Sequence, residues 1–81
     1  MDISRLRALR ELATRGTMAA AAEALFLTPS AVSQQIAKLE EEAEVDLTER
    51  RGRGVRLTPA GTALVGHVER ILVLEFIRKL C

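Results

Sequence analysis

The chain has 81 residues, enough for one small domain, and hydrophobic residues make up 48% of it. Much of that fraction is alanine, and the aromatic residues are two Phe, so we expect closely packed helices with short side chains. A core this small is marginal on its own, which favours self-association. The net charge of +1 excludes a strongly acidic or strongly basic protein, although a near-neutral total can hide a basic face.

Charged residues are separated along the chain, with an acidic segment over residues 40–49 between two arginine clusters. The clusters are Arg5, Arg7, Arg10 and Arg15, followed by Arg50, Arg51, Arg53 and Arg56. This separation is compatible with a nucleic-acid partner on one side of the molecule.

Residue types that perform catalysis or bind metals are not grouped in this sequence. The single cysteine, Cys81, permits neither an internal disulfide nor a zinc cluster, and His67 is a lone histidine. There is no phosphate-binding glycine loop and no pair of catalytic carboxylates, so we expect no enzyme and no cofactor. The chain lacks a basic-then-apolar leader, and its apolar run over 71–77 is too short for a bilayer, which predicts a soluble cytoplasmic protein.

Two helices are predicted in the first third of the chain. The first covers residues 2–15, with Asp2 or Ser4 as its cap and Gly16 at its end. Its expected buried stripe is Ile3, Leu6, Leu9, Leu12 and Ala13. Thr17 then caps a short alanine-rich helix from Met18 to about Leu25. About three residues connect it to the next helix, the spacing of a helix-turn-helix.

The third predicted helix, from Pro29 to about Glu42, is the segment that indicates a function. It begins with a capping Thr28 followed by proline. Its apolar face consists of Val32, Ile36, Leu39 and Ala43, and its polar face of Ser30, Ser33, Gln34 and Lys38. A merely solvated face would be rich in paired Glu and Lys. We therefore interpret the segment as a DNA recognition helix whose N-terminal end enters the major groove. The acidic run from Glu40 to Glu44 is interpreted as a solvated end that points out of the groove.

A small β-hairpin is predicted after the third helix. Its strands are indicated by Val45 and Leu47, and then by Val55 and Leu57, which alternate with polar residues. Between them, Arg50-Arg51-Gly52-Arg53-Gly54 predicts a tight turn with three arginines at its tip. Arginine on a thin protrusion of this kind can enter a minor groove.

A fourth helix is predicted from Pro59 to the end of the chain, after the cap Thr58. Its apolar stripe is Leu64, Val65, Val68, Ile71, Leu72 and Phe76. Packing on the first helix explains the beginning of this stripe but not its full length, so we expect a homodimer through the C-terminal helix. The predicted fold is mainly α: a winged helix-turn-helix over residues 1–58, followed by a linker and dimerisation helix over 59–81.

From Asp2 to about Leu72 the chain resembles the N-terminal winged helix-turn-helix of LysR-type transcriptional regulators. The matching positions are Ile3, Leu6, Leu12, Gly16, Ala21, Ala22, Leu25, the run from Thr28 to Glu40, Leu47, Glu49, Arg50, Gly54, Leu57, Thr58, Ala60 and Gly61. The resemblance implies sequence-specific binding of double-stranded DNA for the regulation of transcription, by a dimer. The family's effector domain has no counterpart here, so we expect no small-molecule effector for this chain, and an isolated domain or a shortened product.

Roles for individual residues also follow from the resemblance. Base-edge contacts are expected from Pro29, Ser30, Ser33 and Gln34. Phosphate contacts are expected from Thr28, Gln35, Lys38 and Arg50. In the wing, Arg53 is expected to reach the minor groove, and the arginine pattern adds Arg51 beside it.

Three departures from the family pattern predict a less stable domain with the same fold. Helix one has Ala8 and Leu9 where an aromatic residue is usual. Glu44 stands where glycine usually follows helix three, and Thr48 replaces a core Phe or Leu. Two other functions remain open: a module that pairs with and sequesters a full-length relative, and a non-specific, nucleoid-type DNA-binding protein.

Overall fold

The computed structural model describes residues 2–52 and 54–80, apart from the side chain of Glu75. Four helices and one antiparallel hairpin follow one another along the chain. They are α1 (Ile3–Arg15), α2 (Met18–Leu25), α3 (Pro29–Ala43), β1 (Thr48–Arg51), β2 (Gly54–Leu57) and α4 (Pro59–Leu80). This is the predicted winged helix-turn-helix with a long C-terminal helix, and the fold class is confirmed.

The helices begin at the predicted caps. Asp2, Thr17 and Thr28 are extended, and each side chain accepts a hydrogen bond from a backbone N–H in the first turn of its helix. Each cap satisfies one of the N–H groups that lack a partner inside the helix. Helix α1 ends at Gly16, whose φ of 87° is left-handed, and the Gly16 N–H donates to the carbonyl of Leu12 at 2.9 Å.

Helix α1 lies at the centre of the fold and packs against α2, α3 and α4. The core consists of Leu6, Ala8, Leu9, Leu12, Ala21, Ala22, Val32, Ile36, Leu39, Leu47 and Val68. Ala8 is fully buried, whereas Ala13 is exposed, so the predicted stripe of α1 is wrong at Ala13. The reason is that Ala13 lines an open groove between the end of α1 and β2, which no side chain fills.

The hairpin begins later than the alternation of apolar residues predicted. Val45 is exposed and Leu47 is buried, but both precede β1. Arg51 pairs with Gly54, so Arg50 and Arg51 lie within β1 and not at the tip. A tight turn lets the strands pair right up to it, which explains the difference. Arg53 lies outside the described residues.

Glu44, where the family pattern has glycine, adopts the left-handed conformation itself, with φ of 56°. Its N–H donates to the carbonyl of Glu40, so the end of α3 is formed without glycine. Phe26 caps the end of α2 in the same way, with φ of 57°. A non-glycine residue costs about 1–2 kcal/mol in this region, so both helix ends carry local strain.

Helix α4 has 22 residues and divides into two parts. Its first part packs on the core through Val68, which is 0% exposed, and through Leu64, Val65 and Leu72. Its second part carries large apolar side chains in solvent: Val73, Leu74, Phe76, Ile77 and Leu80. Within the part of the chain that the structure describes, none of the helices has the length and apolar character needed to cross a bilayer.

Candidate nucleic-acid interface

The inner face of α3 holds the helix firmly in place. Val32, Ile36 and Leu39 are at most 1% exposed and pack in the core. Both α1 and α2 lie against this face, and the small Ala21 and Ala22 of α2 are buried there. Because the inner face is closely packed, the opposite face of α3 is presented in a fixed orientation.

The outer face of α3 presents the predicted polar residues to solvent. Pro29, Ser30, Ser33, Gln34 and Lys38 are all exposed. Apart from Pro29, these side chains supply hydroxyl, amide and ammonium groups, the hydrogen-bonding groups that read base edges and bind phosphate. The structure therefore brings the expected base-reading residues together on one accessible surface.

Two of the predicted phosphate contacts are more restricted. The Thr28 hydroxyl oxygen accepts a hydrogen bond from the Ala31 N–H at 3.1 Å, which caps the helix and leaves the hydroxyl proton to be donated outward. Gln35 is half-buried, so less of its amide is offered to a partner than its position on the helix suggested.

Ala37 is exposed on the same face, and its place there was not predicted. From the sequence alone, a small apolar residue in a helix is expected to lie in the core, because composition does not distinguish an alanine that faces inward from one that faces outward. A methyl side chain at this point lets the helix approach another surface closely, and it can contact a thymine methyl group.

The acidic end of α3 is tied into the fold, which corrects the interpretation that it is merely solvated. Glu42 forms an ion pair with Arg5 of α1. One oxygen of Glu40 accepts hydrogen bonds from the chain that leads into β1. The sequence carried no signal for these contacts, because the partners are up to 37 residues away along the chain.

The two described arginines of the hairpin face opposite ways. Successive residues of a strand point to opposite sides, so Arg50 shares its side with Thr48 and its partner Val55, and Arg51 lies on the other side. On that other side Glu49 and Arg56 form a cross-strand ion pair at 2.9 Å. Both Arg50 and Arg51 are exposed, and their side chains leave β1 on opposite sides.

Residues 3–62 match the family described as "Bacterial regulatory helix-turn-helix protein, lysR family". The chain belongs to this family. The resemblance noted from the motifs is thereby confirmed.

Curated relatives carry related names. The chain is 48% identical over 80 residues to an HTH-type transcriptional regulator from the ibpB-leuC intergenic region of Azotobacter vinelandii. It is 45% identical over 69 residues to the transcriptional dual regulator GltC of Bacillus subtilis. These alignments cover 98% and 85% of this chain, but 56% and 23% of the two relatives. The chain therefore spans only part of the length of these relatives.

Solved structures of DNA-binding domains have the same fold. The CbnR DNA-binding domain in complex with DNA superposes with a TM-score of 0.90 at 35% identity, over 98% of this chain and 91% of that one. The BenM DNA-binding domain in complex with benA site 1 DNA gives a TM-score of 0.88 at 27% identity, over 99% and 91% of the two chains.

Elsewhere this lysR-family chain has open grooves. One of them, about 660 Å³, lies between α1 and α4 and includes Arg10, Leu72 and Phe76 in its lining. Across residues 2–52 and 54–80, no group of three or more His, Cys, Asp or Glu side chains could hold a metal ion.

Proposed function

We propose that this chain binds double-stranded DNA sequence-specifically in the regulation of transcription, as the DNA-binding part of a LysR-type regulator. The outer face of α3 carries the proposal, because it combines a fixed orientation with an exposed set of hydroxyl and amide groups. The DNA complexes of CbnR and BenM, which share this fold, support it.

In the proposed complex the N-terminal half of α3 enters the major groove. Base edges are read by Pro29, Ser30, Ser33 and Gln34. Each good pairing contributes about 1–3 kcal/mol of discrimination against a wrong base. The first turn of α3 contains no acidic residue, so the positive end of the helix dipole faces the phosphates without opposition. The carboxylates of Glu41 and Glu42 lie at the far end of the helix.

Phosphates are bound around this contact. The proposed phosphate-binding residues are Thr28, Gln35, Lys38 and Arg50. The wing contributes Arg51 and Arg53 at the minor groove. Since Arg50 and Arg51 point to opposite sides of β1, we assign them to different parts of the DNA surface.

We further propose that two copies pair through the second part of α4. Of the six residues predicted for this role, Val68 is buried in its own core and offers no surface, which corrects that assignment. Leu64, Val65 and Leu72 are half-buried against the same core, whereas Ile71 and Phe76 are exposed to a partner. The exposed residues Val73, Leu74, Ile77 and Leu80 extend the surface available to a partner. A dimer would place two α3 helices on half-sites about one helical turn apart.

The remaining assignments follow from this function. We propose that the chain works in the cytoplasm, where the DNA of a bacterium lies, and that it acts by binding alone, without catalysis or a cofactor.

Binding of an operator fragment and a random-sequence fragment, each titrated with salt, tests the main proposal. Ser33→Ala should weaken operator binding and leave random DNA unchanged, because a serine hydroxyl at a base edge reads sequence. Lys38→Ala should weaken both alike and reduce the salt slope by about one unit, because one fewer phosphate is neutralised. Thr14→Ala, at an exposed position of α1, is the matched control. Unchanged operator binding by Ser33→Ala would refute the assignment of α3.

One observation favours a second candidate, a module that pairs with a longer relative and sequesters it. The exposed apolar side chains at the end of α4 suit such pairing whether or not DNA is bound. The salt titration separates the two functions, because the affinity of a DNA-binding protein falls steeply as salt rises.

A further inference from the structure

We propose that Glu40 is a positioning residue that holds the wing in place against the recognition helix. The proposal rests on the proposed function, since it concerns how the hairpin β1–β2 meets the DNA that α3 reads. Glu40 does not contact DNA in this proposal. It acts through the chain between α3 and β1.

A single oxygen of Glu40 collects three hydrogen bonds from the start of the wing. Its Oε2 accepts the backbone N–H of Leu47 at 2.8 Å and the backbone N–H of Thr48 at 3.2 Å. The Thr48 hydroxyl donates to the same oxygen at 3.3 Å. The site is partly buried, where such bonds to a charged acceptor are stronger than in water.

Toward α3, the wing would otherwise be weakly attached. It is a hairpin of four residues in each strand, and a hairpin of that size is at best marginally stable by itself. Val55 and Leu57 of β2 are half-buried against the core, but Glu49, Arg50 and Arg51 of β1 are exposed. Glu40 therefore attaches β1 at the first residue of the strand, Thr48, and Arg50 follows two residues later on the same side.

The segment from Asp46 to Thr48 is also held from its other side. The carbonyl of Leu47 accepts the Thr58 N–H at 3.0 Å, and the Thr58 hydroxyl donates to the carbonyl of Asp46 at 2.7 Å. The recognition helix, the wing and the start of α4 thus meet at one short segment, and Glu40 supplies the contact from α3.

The sign of the charge effect makes the role testable. Glu40 is negative and belongs to the helix that faces DNA, so removing its charge alone should tighten DNA binding. Removing its hydrogen bonds should release the wing and weaken binding. Glu40→Ala makes both changes, whereas Glu40→Gln removes the charge and keeps a carbonyl oxygen with two lone pairs, enough to accept the backbone N–H groups of Leu47 and Thr48.

The experiment measures the Kd of the full 81-residue chain for operator DNA over a range of salt concentrations. We expect Glu40→Ala to raise Kd as much as the combined replacement of the three wing arginines, Arg50, Arg51 and Arg53, by Ala, and to lower the salt slope by about 0.9 for each phosphate that the wing no longer neutralises. In the chain that already lacks these three arginines, Glu40→Ala should not weaken binding further. Glu40→Gln should bind at least as tightly as the unaltered chain, because it removes the negative charge and keeps the wing attached. Glu41→Ala, at the exposed neighbouring acid, is the control for charge removal.

Amide hydrogen exchange without DNA supplies the second measurement. Leu47 and Thr48 should exchange faster in Glu40→Ala and remain protected in Glu40→Gln, while the core amide of Ile36 is unchanged. If Glu40→Ala reduced affinity equally with and without the wing arginines, or left the exchange of Leu47 and Thr48 unchanged, the positioning role alone would be overturned. If the unaltered chain shows no salt-dependent DNA binding, the proposed function fails as well.

Discussion

At the scale of single residues, the helix ends show where this chain departs from an unstrained design. Gly16 adopts positive φ at the end of α1, where glycine has no steric penalty. Phe26 and Glu44 adopt it at the ends of α2 and α3. The backbone N–H groups of Phe26 and Glu44 still form the hydrogen bonds that end their helices. The packing of the fold therefore holds both residues at positive φ despite the steric cost.

Glu44→Gly should therefore stabilise the domain. Relief of the left-handed strain outweighs the extra freedom that glycine has in the unfolded chain, and we expect a net gain of about 0.5–1 kcal/mol. For a domain of this size, thermal unfolding should shift upward by several degrees, about 4–8 °C per kcal/mol.

Gly16→Ala is the reciprocal control. A Cβ at Gly16 would have no atom within 4 Å, so only backbone strain opposes it. We expect a loss of about 1 kcal/mol. Equal stability of both variants and the unaltered chain would mean that these helix ends relax without cost.

Asp2 makes the start of α1 sensitive to acid. The hydrogen bond that its carboxylate accepts from the Ser4 backbone N–H holds the pKa of Asp2 below its ordinary value. A lowered pKa in the folded chain means that the cap contributes fully above the unfolded pKa and is lost as pH falls through the folded one. An NMR titration should place the Asp2 midpoint below that in a peptide of residues 1–8. Asp2→Asn, which keeps an accepting oxygen, should remove this pH dependence.

At the scale of elements, α3 and the second part of α4 have apolar faces with different surroundings. The apolar residues of α3 fall on one face, and that face is buried. The apolar residues of the second part of α4 also share one broad face, opposite Arg78 and Lys79, but they are 50–71% exposed. An apolar surface of this kind on a helix is typical of an interaction site.

Ile77→Glu tests whether that surface pairs two copies. We expect the chain to shift from dimer to monomer in analytical ultracentrifugation, because a carboxylate would be buried against apolar side chains. The thermal stability of the core should change little, since Ile77 is half exposed and lies beyond the core residues. Ala63→Glu adds the same charge at an exposed position near the start of α4 and should leave the dimer intact. A monomeric unaltered chain would contradict the pairing.

At the scale of the whole molecule, the segment from Asp46 to Thr48 joins the two halves of the fold. It receives contacts from Glu40 of α3 and from Thr58 at the start of α4. Gly61, in the first turns of α4, lies so close to it that a Cβ would be 2.1 Å from the Leu47 carbonyl oxygen. The absence of a side chain at Gly61 is therefore what allows α4 to dock.

Gly61→Ala should destabilise the chain by about 1–3 kcal/mol, the cost of forcing apart closely packed backbone. Gly66→Ala is a matched control on the same helix, because a Cβ there meets nothing within 4 Å. It should stabilise the chain by up to about 1 kcal/mol through helix propensity. Thermal unfolding of the two variants measures the difference directly, and equal effects would contradict the close approach at Gly61.

Local features of this protein were determined by the sequence itself. The starts of the helices at Asp2, Thr17 and Thr28, the end at Gly16, and the polar outer face of α3 depend on neighbours within a few residues. Side-chain capping and the 3.6-residue period act at that range, so the pattern alone predicts them. The alternating apolar residues on either side of the Arg50–Gly54 run also predicted the wing, and the family resemblance added expected roles for individual residues.

Only the tertiary structure decided which surfaces are covered and which distant groups meet. The full burial of Val68, the exposure of Ala37, the opposite directions of Arg50 and Arg51, and the three hydrogen bonds to Glu40 each depend on how elements pack or pair. The residues next to a glutamate in the sequence do not show whether its carboxylate lies in solvent or binds the start of a strand. The difference arises from residues that approach through space, which no periodicity along the chain records.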